Sequence, residues 1–287
     1  MTVLEEKYTL NNGMEIPKLG FGTWLIDNDK VAENIQQAAK IGYRHFDTAQ
    51  AYGNEAGVGA GLVASGLTRD EFFVTTKVQA EFKDYQTVKN SIDESLQKLG
   101  LDYLDLLLIH APEPWNEFHG ENHYFKENLE VWRAMQESVQ AGKVRAIGVS
   151  NFLQEDLENI LKNGTIKPAV NQLLMHIGQT SFELLEQARQ NDILVEAYSP
   201  VAHGKMLQNK QIQKMAEKYQ VSIPQLAIRY CLELGALPLP KSESAKHIAE
   251  NAKVDFNISA ADLQQLKEVP QFQNYGDASD FPVFSGK

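Results

Sequence analysis

The stretch LDLLLIH, Leu104 to His110, holds four apolar residues in a row, Leu106 to Ile109. An extended chain points successive side chains to opposite faces, so this run is apolar on both. A strand of that kind belongs in a parallel sheet covered by helices. Working outward, LGFGTW, HFDTA and FFVTTKV precede it, and RAIGVSN, AVNQLLM, ILVEAYSP and ALPLPKS follow, making eight predicted strands. Segments with helical spacing lie between them. In TVKNSIDESLQKLG the residues Val88, Ile92, Leu96 and Leu99 share one face, and in ENLEVWRAMQESVQAGK so do Leu129, Trp132, Met135 and Val139. Gly100 and Gly142 stand where helix C-caps are expected.

Eight strand–helix units that close on themselves form a (β/α)8 TIM barrel, and the 287-residue length suits one such domain over residues 1–287. A doubly wound open sheet is the competing α/β architecture. It calls for a G-x-G-x-x-G after the first strand, where this chain has LGFGTW. The glycines of GVGAGL, Gly57 to Leu62, fall inside the second helix and read as close helix packing. Ahead of the barrel, YTLNNGMEI predicts an N-terminal β-hairpin turning at Asn12-Gly13, both tolerant of positive φ. Behind it come an extra helix and the tail QNYGDASDFPVFSGK, a loose end or a lid over the barrel mouth.

Composition narrows the function. The net charge of −11 argues against broad binding to nucleic acid or anionic membrane. No segment reaches the roughly 18 consecutive apolar residues of a membrane helix, and MTVLEEKYTL does not read as a signal peptide. The lone cysteine, Cys231, lies in the apolar pattern LAIRYCLELG and reads as a buried helix thiol. The expectation is a soluble protein of the reducing cytoplasm.

In a TIM barrel the chemistry gathers at the C-terminal ends of the strands. Reading those ends gives Asp47 after the second strand, Lys77 after the third and His110 after the fourth, with Tyr52 in the loop after the second. Alone, each has an ordinary explanation, as a cap, a solvated lysine or a core histidine. Together they form a proton-donating group. A free phenol titrates near pH 10, and an adjacent ammonium lowers that value. Lys77 supplies the ammonium, Asp47 its counter-charge, and His110 a hydrogen bond that orients a substrate oxygen.

These residues carry a resemblance. Over nearly its whole length the chain resembles the aldo-keto reductases, through GYRHFDTAQAYGNE, VTTKV, SLQKLGLDYLDLLLIHAP, AGKVRAIGVSNF, the NQ at 171–172, EAYSP and LPKS with IAEN. Within the family it is similar to bacterial aldehyde and ketone reductases such as the 2,5-diketo-D-gluconate reductases. The resemblance implies a TIM barrel that binds NADPH without a Rossmann fold, with Asp47, Tyr52, Lys77 and His110 as catalytic tetrad. It further implies that Ser150, Asn151 and Gln172 hold the nicotinamide carboxamide and that Tyr198 stacks on the nicotinamide. Ser199 and the loop PVAHGKML border the pyrophosphate, Lys241 and Ser242 take the 2′-phosphate, and Glu250 and Asn251 contact the adenine. No metal ligand is implied, and the family default is a monomer.

The chain departs from the family pattern in places. His247 stands where many relatives carry an arginine for the 2′-phosphate. Arginine is always charged and forks onto phosphate, whereas a histidine is mostly neutral at pH 7, so NADH becomes an acceptable second cofactor. At the substrate mouth Trp24 is retained, while Gln79 and Ala111 replace frequent tryptophans. Trp115, Phe118 and Phe281 are the aromatics available to rebuild that wall. The reading that follows is NADPH-dependent reduction of small aldehydes, dicarbonyls or sugar-derived diketones. Two rivals share the fold: a cofactor-binding regulatory subunit, and a Schiff-base aldolase acting through Lys77.

Overall fold

The computed structural model describes residues 2–118, 120–272 and 274–285. The apolar run that suggested a parallel sheet is a fully buried central strand of that sheet. In chain order the elements are β1 (Lys7–Thr9), β2 (Glu15–Pro17), β3 (Phe21–Gly22), α1 (Asn28–Ile41), β4 (His45–Asp47), α2 (Glu55–Ala64), β5 (Phe73–Val78), α3 (Tyr85–Leu99), β6 (Leu104–Ile109), α4 (Phe125–Gln140), β7 (Val144–Ser150) and α5 (Gln154–Asn163). There follow β8 (Val170–Leu174), α6 (Phe182–Gln190), β9 (Leu194–Tyr198), α7 (Lys210–Tyr219), α8 (Ile223–Glu233), β10 (Leu237–Leu239), α9 (Ala245–Asn251) and α10 (Ala260–Lys267).

Strands β3 to β10 pair in sequence order, all parallel. The two edges meet, because Gly20 N–H donates to Pro238 O and Gly22 N–H to Pro240 O, each at 3.1 Å. Glycine permits this approach: a Cβ on Gly20 would stand 2.5 Å from Leu239 Cδ2 and 2.7 Å from His45 Nδ1. The sheet is therefore a barrel with helices outside, as the strand count predicts.

The pleat sorts the side chains. Leu107 and Ile109 face outward into the core shared with the helices, together with Phe46, Val74 and Val78. Leu106, Leu108 and Phe73 face inward at the barrel bottom. There the β1–β2 hairpin plugs the barrel with Leu10 and Ile16. The hairpin turn differs from expectation: Gly13 N–H bonds Leu10 O at 2.9 Å, so Asn11 and Asn12 are the central residues. Only Gly13 takes positive φ, +84°, the pattern of a type I turn with a glycine bulge.

Gly57, Gly59 and Gly61 of α2 are packing glycines. A Cβ would meet Asn28 O at 2.2 Å, Leu99 O at 2.3 Å and Ile35 Cβ at 2.7 Å respectively, so α2 lies against α1 and the end of α3 without intervening side chains. Cys231 is fully buried and its thiol is pushed up to about 12 by desolvation. No described helix is long and apolar enough to cross a membrane.

Candidate active site

The inward-facing rows end at the mouth on polar groups, and strand parity puts them there. His45 and Asp47 of β4, Phe73, Thr75 and Lys77 of β5, and Leu106, Leu108 and then His110 after β6 are spaced two apart on their strands. The register sets Asp47 beside Thr75 and Lys77 beside Leu108. Each row is apolar or neutral below and ionisable at the top.

Lys77 is fully buried. Its Nζ donates to Asp47 Oδ1 at 2.7 Å, to Thr48 O at 2.8 Å and to Tyr52 Oη at 3.4 Å. Burial disfavours the ammonium, but Asp47, Tyr52 and Glu196 together outweigh it, and the Lys77 pKa ends above the ordinary lysine value. The expected lowering of the Tyr52 phenol is not what the folded chain shows. Burial raises its pKa more than the Lys77 ammonium lowers it, because the Lys–Tyr bond is the longest of the three and two of the lysine protons go to other acceptors. His110 is buried, and desolvation followed by the Lys77 charge drives its pKa well below the usual histidine value. It is a neutral ring at pH 7, set edge-to-face against Tyr52 at 5.5 Å and Trp115 at 5.1 Å.

A cleft of about 850 Å³ opens from the tetrad and runs along the ends of the late strands. Ser150, Asn151, Gln172, Tyr198, Ser199, Lys241, Ser242, His247, Glu250 and Asn251 all line it, along with Asp47, Tyr52 and His110. Asn151 and Ser199 hold positive φ, +61° and +51°, at the ends of β7 and β9, a strained backbone of the kind found at binding sites. Asn151 is fixed on three sides: Nδ2 donates to His110 O at 3.0 Å and Ser150 Oγ at 3.1 Å, and Oδ1 accepts from Tyr198 Oη at 2.7 Å. Lys241 pairs with Glu243 at 2.8 Å.

Of the four substrate-pocket residues read from the sequence, Trp24 and Trp115 line the cleft and Gln79 and Ala111 do not. Ala111 is fully buried and its carbonyl accepts from Lys83 at 3.1 Å, while Gln79 N–H is taken by Gln50 Oε1 at 3.1 Å. Gln79 directly follows β5, and Ala111 lies two residues past the end of β6. The described part of the tail crosses the mouth instead of hanging loose. Phe284 is buried against His203 at 4.6 Å and stacks on Trp24 at 5.9 Å, and Phe281 meets Trp24 at 4.8 Å. Gln273, Gly286 and Lys287 of the tail lie outside the described residues.

Two contributors escaped the sequence reading. One is Glu196, fully buried inside the barrel beneath Gln172. A carboxylate in the otherwise apolar run LVEAY was the available signal. The other is His203, whose contact with Trp24 at 5.4 Å joins the loop after β9 to the mouth. Nothing in PVAHGKML marks that contact.

The chain belongs to the aldo/keto reductase family, whose profile matches residues 18–271. It is 38% identical over 285 residues to the glyoxal reductase of Bacillus subtilis, covering 99% of each chain. It is 35% identical over 274 residues to methylglyoxal reductase DkgA of Escherichia coli O157:H7, covering 94% of this chain and 96% of that one. Among solved structures, an aldo-keto reductase of Bombyx mori in complex with NADP superposes with a TM-score of 0.85 at 32% identity, covering 97% of this chain and 98% of that one.

Proposed function

We propose that this chain is an NADP-dependent oxidoreductase that reduces small aldehydes and α-dicarbonyls to alcohols, with Tyr52 as the proton donor. The observation that carries the reading is the buried Lys77–Asp47 pair at 2.7 Å with the Tyr52 hydroxyl 3.4 Å from the same ammonium. The names of the Bacillus and Escherichia relatives support the dicarbonyl class. The cleft suits a nicotinamide dinucleotide. At the tetrad end Gln172, Ser150 and Asn151 supply amide and hydroxyl groups and Tyr198 a flat ring, and at the far end Lys241 supplies a cation for a phosphate. When bound, NADPH supplies the hydride.

The residues of the chain do the rest. A carbonyl oxygen set between Tyr52 and His110 accepts a hydrogen bond from each, since a neutral imidazole keeps one N–H. As the carbon gains a hydride the oxygen gains negative charge, and the Tyr52 O–H transfers its proton there. The Lys77 ammonium, held by Asp47 and Thr48, stabilises the phenolate left behind. Trp24, Trp115 and Phe281 shield the mouth from water. The raised Lys77 pKa favours this reading over the aldolase, which requires a neutral amine.

The test is loss of NADPH absorbance with purified chain and glyoxal, methylglyoxal and simple aldehydes. Turnover with the dicarbonyls is expected. NADPH binding without turnover of any carbonyl would replace the enzyme by the cofactor-binding regulatory reading.

A further inference from the structure

Away from the cleft, the loop between β6 and α4 is gathered at its base. Lys83 Nζ donates to Ala111 O, Pro112 O and Asn128 Oδ1 at 3.1, 2.8 and 2.9 Å. Asn128 Nδ2 donates to Pro112 O at 2.9 Å and His123 O at 3.4 Å. This clamp brings Glu113, at the start of the loop, to His123, at its end, and both face Asp156 in the first turn of α5. One ligand atom from each of the three lies within 4.8 Å of the others.

We propose that Glu113, His123 and Asp156 form a divalent transition-metal site that staples the loop carrying Trp115 to α5. Three features point to a cation. Asp156 is only 2% exposed. Its Oδ2 accepts from Leu153 N–H at 3.2 Å, whereas the buried Oδ1 is left with only the ion-pair contact to His123 Nδ1 at 3.4 Å, and neither atom has a closer hydrogen-bond partner. That separation is long for an N–H···O bond. It matches a shared ion: ligands about 2.0–2.1 Å from a tetrahedral zinc stand about 3.3 Å apart. Finally, Glu113 is 3% exposed and holds a carboxylate oxygen within 4.8 Å of the other two ligand atoms, while the His123 side chain is 40% exposed and leaves a path for entry and room for water in the fourth position.

One imidazole and two carboxylates suit Zn²⁺ and its first-row neighbours over Mg²⁺, which prefers all-oxygen octahedra. The Phe125 ring stacked on His123 at 5.0 Å holds the imidazole in place. The Lys83 ammonium, which interacts with Glu113 and Asp156, opposes a second cation and sets the affinity below that of a closed structural zinc site.

The experiment is calorimetric titration of the whole chain with zinc chloride, with thermal melting in parallel. The wild type binds one Zn²⁺ per chain and melts higher with it. His123→Ala, at a half-exposed position, folds normally, keeps its carbonyl reductase activity in metal-free buffer and binds Zn²⁺ at least tenfold more weakly. Glu113→Gln weakens binding in the same direction. His110→Ala, in the catalytic mouth, leaves binding unchanged. The site is overturned if the wild type binds no Zn²⁺, if His123→Ala binds as tightly as the wild type, or if His110→Ala abolishes binding.

Discussion

Gln172 donates to Glu196 Oε2 at 2.7 Å inside the barrel. Its Nε2 also donates to Asp47 Oδ2 at 2.9 Å. Both amide hydrogens therefore go to carboxylates, which fixes the amide so that Oε1 is its remaining group for a ligand. The pair ties Asp47 to a second acid that the sequence reading left out.

Gln172→Leu removes the donor from both carboxylates at once. A buried acceptor left without a partner costs about 1–3 kcal/mol, so the variant loses roughly 2 kcal/mol or more in a denaturant titration. The double variant Gln172→Leu, Glu196→Leu recovers part of that loss, since one stranded carboxylate is gone. Strict additivity of the two single changes would show that the residues are not coupled.

Tyr52→Phe keeps the ring and removes the proton. Carbonyl reduction falls at least ~10²-fold while NADPH binding, measured by fluorescence quenching, is retained. A variant with most of its turnover, under conditions where chemistry limits the rate, would remove Tyr52 as the acid.

Lys77→Met leaves Asp47 buried without its cation, and breaking a buried pair this way typically costs about 3–5 kcal/mol. Activity and stability both drop. Borohydride with a carbonyl compound traps no adduct on wild-type Lys77, because its pKa is raised and the amine stays protonated. A trapped adduct required for turnover would favour the aldolase.

In the proposed site cofactor choice rests on Lys241, which is shared with Glu243 at 2.8 Å. Glu243→Ala frees the ammonium and lowers the KM for NADPH, His247→Arg does the same by adding a bidentate donor, and Lys241→Ala raises it toward that for NADH. Each change leaves the NADH value nearly constant. KM values for NADPH that ignored all three substitutions would place the phosphate elsewhere.

Three buried imidazoles make the fold acid-labile. Desolvation lowers His45 to about 3 and His176 to about 4, and lowers His110 as well. Above about pH 6.5 both folded and unfolded chains hold these rings neutral. Below it the unfolded chain takes up protons that the folded chain refuses, so stability falls as pH falls, by ~1.4 kcal/mol per ring per pH unit. Glu196 works in the opposite direction, since burial raises its pKa and the folded chain keeps its proton longer. Urea midpoints should decline from pH 6.5 to pH 4.5, and a flat profile there would contradict neutral buried histidines.

The sequence by itself determined the barrel and which strands carry the residues proposed for catalysis. Eight apolar runs, each followed by helical spacing, leave few ways to bury both faces of a sheet, and pleat parity then sends Asp47, Lys77 and His110 inward without knowledge of the tertiary contacts. The resemblance named further residues that line the cleft, some at strand ends and some, His247, Glu250 and Asn251, on α9. What only the tertiary structure decided depends on contacts between distant segments. Asn11 and Asn12 became the centre of the hairpin turn because the register of β1 on β2 chose it. Gln79 and Ala111 stand outside the cleft lining, their backbones bonded by Gln50 and Lys83. The Tyr52 phenol moved up instead of down because burial, a property of the whole fold, outweighs one neighbouring charge. Glu196 beneath Gln172, Phe284 over Trp24 and His123 against Asp156 are likewise meetings of residues far apart in sequence. Local pattern fixes which face a residue takes; the folded chain alone fixes what it meets there.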